Sequence, residues 1–192
     1  MSKNILLVSV DTIKQRTALH FNVDEKLVFP EIKTAQDLYL EPALGTPLFN
    51  RLCDGIAAGN LTADETELLN NYVTDALCYY VLMCLPVPIT AQFYNNGLLR
   101  KTDANTTQLS MSEINDAMNH YKQRADHYKQ RLINFLVVNS TRYPLYLDRF
   151  GWGDAMPEGS GFNCDFYLGE GGRDYHAVNL RRRFDCDAQE IL

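Results

Sequence analysis

The stretch from Ser110 to Asn139 constrains the fold more than any other part of the chain. Met111, Ile114, Met118, Tyr121, Ala125, Tyr128, Leu132 and Phe135 follow one another at alternating intervals of three and four. Only an α-helix turns that period into a single apolar seam. Ser110 and Glu113 have the spacing of a capping box, so the pattern predicts a helix over about 111–139, at ~1.5 Å per residue roughly 40 Å long. A rod of that length must lay its seam against something. In a chain of 192 residues with 46% hydrophobic content, other helices of the same domain can supply that surface. The same helix of a neighbouring copy is the alternative.

The remaining punctuation predicts partners for it. Asn22 with Glu25 has the spacing of a capping box for a helix running toward Glu41, in which Pro30 either causes a kink or stands near the first turn. Glu41-Pro42-Ala43-Leu44-Gly45 breaks the pattern. Thr46 as N-cap and Pro47 at N1 then open a helix to Ala58, with Gly59 in the C′ place. Thr62 and Glu65 give a further capping box for a helix from Ala63 to Leu85, apolar all round in its second half and therefore central to the core. Its most apolar part, Ala76 to Leu85, is about half of what a membrane crossing needs, so a buried helix is expected and no membrane partner. Pro86-Val87-Pro88 should end it. Residues 89–107 lack a helical period but contain Asn96-Gly97, a strong turn signal, and predict a projecting hairpin or loop. The fold class expected is mainly α: a compact bundle of four to five helices over 1–147, with an extended C-terminal arm over 148–192. Seven of the eleven glycines lie in that arm beside Phe150, Trp152, Phe162, Phe166, Tyr167, Tyr175 and Phe184. Backbone freedom combined with large apolar anchors suits a segment that lies on a partner or on its own core.

Reacting groups are hard to find. The five cysteines are odd in number and form no C-x-x-C pair, so neither a disulfide framework nor a zinc site is implied; Cys53, Cys78 and Cys84 read as small core residues. Met1 to Val10 has one basic residue and too short an apolar run for a signal peptide, which with the free thiols favours a reducing cytoplasm. Gly159-Ser160-Gly161 lacks the third glycine of a dinucleotide fingerprint, and Gly169 to Arg173 lacks the Lys-Ser/Thr of a phosphate loop. His120 and His127 are seven apart, about 10 Å along a helix, and cannot share one ion. Asp116 and His120 could touch a metal, but a solvated helix face is the simpler reading. No catalytic, cofactor or metal residue is assigned, and no enzyme activity is expected.

Charge is unevenly placed beneath the formal net −6: six basic against eleven acidic residues over 1–99, seven against four over 100–142, five against nine over 143–192. Lys122, Arg124, Lys129 and Arg131 are the basic residues of the long helix, read as crowding its solvent side. A solvated face with local ion pairs is one reading; an interface with phosphate or an acidic neighbour is the other. Arg181-Arg182-Arg183 repel one another unless something acidic lies opposite, so they join Trp152, Phe162, Phe166 and Tyr167 as candidate arm–partner contacts.

Asp24 to Leu52, DEKLVFPEIKTAQDLYLEPALGTPLFNRL, resembles the opening helices of head-to-tail connector (adaptor) proteins of tailed phages, nearest to those of crAss-like and other Bacteroidota phages. The matching features are a helix with Ile32, Ala35, Gln36 and Asp37, the breaker Pro42-Ala43-Leu44-Gly45, and a short helix with Leu48 and Leu52. An apolar helix around Ala76 to Leu85 and a long helix with Tyr121 and Tyr128 follow. The resemblance covers roughly residues 20–145. It implies a virion structural protein, made in the host cytoplasm and placed at the portal–tail junction. Such a protein repeats as a ring, usually of twelve copies, around the channel through which genomic DNA passes. Its partners would be further copies of itself, the portal protein and other connector or tail proteins. The rival reading from another class is a small helical DNA-binding or regulatory protein that uses the basic long helix; the acidic total argues against it.

Overall fold

The computed structural model describes residues 4–95, 97–100, 109–146 and 155–158. The architecture is mainly α. Val10–Arg16 forms α1, started by the Ser9 hydroxyl, which accepts from the Thr12 amide at 3.2 Å. Helix α2, Glu25–Ala35, is capped by Asp24 and not by Asn22: the Asp24 carboxylate accepts from the Lys26 amide at 2.9 Å. Pro30 lies inside α2, and the helix runs through it, since the ring removes a single ladder bond. The expected break at Glu41-Pro42 does not occur either. A π turn, Gln36–Leu40, widens the ladder just before Pro42 and hands over to α3, Glu41–Leu44, so the missing proline amide is absorbed. The chain turns only at Gly45, whose φ of 77° and ψ of 147° suit glycine alone.

Helix α4, Thr46–Ala58, ends at the predicted Gly59 in the left-handed region. Helix α5, Ala63–Leu68, carries the predicted capping box: the Glu65 amide donates to the Thr62 hydroxyl and the Thr62 amide to the Glu65 carboxylate. A second π turn, Leu69–Val73, leads to α6, Thr74–Cys84, and a short α7, Pro86–Thr90, continues it. The expected stop at Pro86-Val87-Pro88 is thus corrected. Pro86 takes the first position of a new turn, where a missing N–H costs little, and the Ile89 amide still reaches the Leu85 carbonyl at 3.2 Å. The whole run Ala63–Thr90 has 28 residues and by length and composition could cross a membrane, unlike the ten-residue stretch picked out of the sequence. In this fold 56% of its most apolar window is buried in the body.

Strands β1, Ala91–Tyr94, and β2, Gly97–Arg100, form the expected hairpin. Tyr94 pairs with Gly97, so the register lies one residue earlier than the Asn96-Gly97 turn signal suggests, and Gly97, at φ 120°, opens the second strand. The rest of the expected loop, 101–108, is outside the described residues. Helix α8, Met111–Val138, has its predicted capping box at Ser110 and Glu113 and spans 28 residues.

Helix α6 is the centre of the body. It packs on α2 and on α8, which hardly touch each other. Ile32, Leu40, Leu44, Leu52, Leu68, Leu77 and Leu132 are fully buried in the core built around it. The heptad-like seam of α8 is answered inside the chain: Ile114, Ala125 and Leu132 are buried, and Met118, Tyr121, Tyr128 and Phe135 pack on the core. Met111 alone of the seam stays exposed. One compact unit extends to Gly161, so Ala155–Glu158 belongs to the body although it follows residue 147.

Candidate functional site

Two regions merit description, and the first contains the residues that carry the family resemblance. Val28, Ile32, Gln36 and Leu40 follow at intervals of four, so Gln36 stands in the buried stripe of its helix. Its amide group closes a two-way clasp on the N-terminal segment: the Leu7 amide donates to Oε1 at 2.7 Å, and Nε2 donates to the Ile5 carbonyl at 3.1 Å. Beside it Ala35 is fully buried, and Asp37 pairs with Lys33 one turn back.

Gly45 and Thr46 close a second clasp. The Thr46 amide donates to the Ala155 carbonyl at 3.1 Å, and the Ala155 amide donates to the Thr46 hydroxyl at 2.9 Å. The expected capping role of Thr46 is corrected here, because its hydroxyl caps nothing in α4 and serves a segment 109 residues away. Pro157 lies on Gly45 so closely that a Cβ there would meet its ring at 2.9 Å. Glu158 completes the attachment through Lys129 on α8, at 3.1 Å. Residues 35–46 therefore hold segments from both ends of the body.

The second region is α8. Its four basic residues do not share one solvent face. Lys122 and Lys129 are seven apart, as are Arg124 and Arg131, but the two pairs are offset by two residues, about 200° around the helix. They flank the buried seam on opposite sides. Lys129 is paired with Glu158, while Lys122 is exposed with no ion-pair partner among the described residues. On the other flank, Arg131 lies 4.9 Å over the Tyr72 ring and 3.9 Å from Asp75, which also pairs with Arg16 at 3.1 Å. Arg124 lies 6.0 Å over Tyr79 and has no carboxylate partner among the described residues.

Beneath these arginines runs a ladder of rings that repeats every seven residues on both helices. Tyr79 stacks on Tyr128 at 5.3 Å between centroids, and Tyr72 on Phe135 at 4.0 Å. His120 and His127 fall on the arginine flank, T-shaped against Tyr121 and Tyr128. Together Tyr79, His120, Gln123, Arg124, His127 and Tyr128 line an open groove of about 360 Å³. The common spacing of His120, Arg124, His127 and Arg131 is the sequence signal that joins the histidines to the arginines on one flank. Across the core, Tyr80 stacks on Tyr39 at 4.2 Å and donates to Asp126 at 2.6 Å. Burial, followed by that bond, pushes the Tyr80 phenol well up, which keeps it a structural donor.

The cysteines among the described residues, Cys53, Cys78 and Cys84, lie in the core or pack against it. Burial pushes the thiols of Cys53 and Cys84 up to about 11 and that of Cys78 to about 12, so none is a thiolate near neutrality. Among the described residues no group of three or more His, Cys, Asp or Glu converges. Trp152, Phe162, Phe166, Tyr167, Arg181, Arg182 and Arg183, with the glycine-rich motifs at 159–161 and 169–173, lie outside the described residues.

Residues 40–149, more than half of the chain, match the family of unknown function DUF6712, and the chain belongs to that family. No curated protein and no solved structure matches it.

Proposed function

We propose that this member of the DUF6712 family is a structural virion protein: a subunit of a head-to-tail connector ring between the portal and the tail of a tailed phage. It links capsid to tail around the DNA channel and catalyses no reaction. The observation that carries this reading is the ordered set Ala35-Gln36-Asp37 and Pro42-Ala43-Leu44-Gly45-Thr46. These residues resemble those of connector proteins, and in this fold they tie two outlying segments to one helical body. A subunit that must keep its shape while pulled between a capsid and a tail needs such ties. The α8 seam is used internally, so contacts between copies fall to other surfaces, such as the helix flanks and the hairpin.

The same geometry narrows the part that α8 can play toward DNA in the channel. Lys129 and Arg131 pair with Glu158 and Asp75, which leaves Lys122 and Arg124 as the cations of α8 without a carboxylate partner among the described residues, open to phosphate or to an acidic neighbour. A conduit lined in this way touches DNA without retaining it. The test is co-expression with a tailed-phage portal protein from the same genome, followed by electron microscopy of the complex. A ring of this chain stacked on the portal supports the proposal; a portal that stays bare in the presence of excess chain refutes it. Lys122→Glu with Arg124→Glu reads the channel contact separately, since assembly and DNA retention both unchanged would remove it.

A further inference from the structure

The body has a second open groove, of about 340 Å³, between the N-terminal segment and α2, lined by Leu6, Val8, Ser9, Val10, Asp11, Glu25 and Phe29. Its lining is apolar and acidic: two carboxylates, no cation, and the Phe29 ring 46% exposed. Lys14 reaches Glu25 from below at 3.8 Å but is itself almost wholly buried, and Asp11 has no ion-pair partner among the described residues. The groove on α8 is the complement, with Arg124, His120 and His127 over a tyrosine wall and no carboxylate in its lining. The first belongs to α2 and the second to α8, helices that α6 holds apart.

We infer that the Arg124–His120–His127 groove of one copy receives the Asp11–Glu25–Phe29 face of the next. The inference rests on the ring reading and names the two surfaces that would build it. Two unlike patches on separate outer helices make a head-to-tail contact, and such a contact repeats from copy to copy until the rotation closes. Aromatic and arginine side chains in opposed grooves are the residue types that dominate association energy. Opposite charge sets the register and penalises like-to-like pairing. Each contact alone is small; closure of the ring multiplies it.

The test is charge reversal read by native mass spectrometry and light scattering on the full chain, with circular dichroism to confirm folding. Arg124→Glu on one side and Asp11→Lys with Glu25→Lys on the other should each weaken self-association about tenfold or more. Asp11→Lys alone serves if the double variant does not fold. Mixing the two variants should restore assembly in alternating one-to-one composition, because each then offers the other both its native and its reversed surface. Variants that assemble like the wild type would overturn these surfaces and leave the ring reading standing. A wild-type chain that stays monomeric at its highest soluble concentration and on the portal would overturn both.

Discussion

The corner at Gly45–Thr46 and the arginine flank of α8 are both polar and both lie at the edge of the core, yet they use their polar groups in opposite ways. At the corner the Thr46 amide and hydroxyl meet Ala155, and Pro157 takes the space that a side chain on Gly45 would need. On the flank, Arg124 lies over a ring with no carboxylate partner among the described residues, and the histidines beside it line an open groove. Satisfied polar groups fix a shape; unsatisfied ones at a surface are available to a partner. Substitutions at the corner should therefore cost stability and spare association, and those on the flank should do the reverse.

The largest effect is expected at Gly45. Gly45→Ala places a Cβ against Pro157 and forces a non-glycine residue to positive φ, which should lower unfolding free energy by about 2–3 kcal/mol in a denaturant titration. Gln36→Leu should follow at about 2 kcal/mol, because it strands the Leu7 amide and the Ile5 carbonyl at a buried position. Thr46→Val removes the acceptor of the Ala155 amide and should cost about 1–2 kcal/mol, with faster hydrogen exchange at Ala155 and not at the α8 core. Arg124→Glu should stay within about 0.5 kcal/mol of the wild type, as surface substitutions do, while losing self-association. If it melts the body instead, the contrast between the two regions fails.

The smallest effect concerns pH. The Ser110 amide and then its hydroxyl hold the exposed Glu113 carboxyl below its ordinary value. A folded value below the unfolded one means that the contribution is complete above the unfolded value and is lost as pH falls through the folded one. The protection factors of the first-turn amides of α8, which correct for the pH dependence of intrinsic exchange, should therefore fall on acidification before those of the rest of the helix do. No such change on acidification would mean the box contributes nothing at that end.

Local signals were readable in the sequence because they act within one turn. The capping boxes at Thr62 and Ser110, the glycine stop at Gly59 and the hairpin each rest on residues within a few positions of one another, and the length of α8 on a spacing that repeats locally along it. Thr46 shows where that legibility ends. A threonine before a proline has the local form of an N-cap, and nothing nearby reveals that its hydroxyl is taken by a residue 109 positions on. The π turns escaped for a related reason: a helix that widens by one residue keeps its composition and shifts only its register. Two further features are legible in spacing alone. Gln36 stands at a four-residue interval in an apolar stripe, and the 122/129 and 124/131 spacings already separate the lysines from the arginines.

The central claim is that this body is one repeat of a ring joining a portal to a tail. The most direct measurement is electron cryo-microscopy of the tailed-phage particle proposed to contain it. The account predicts density for identical copies of the α2–α6–α8 body arranged head to tail around the channel at the portal–tail junction, with the Arg124 groove of each copy against Phe29 of the next. Particles that lack the chain, or copies paired about a two-fold axis away from the channel, would contradict it.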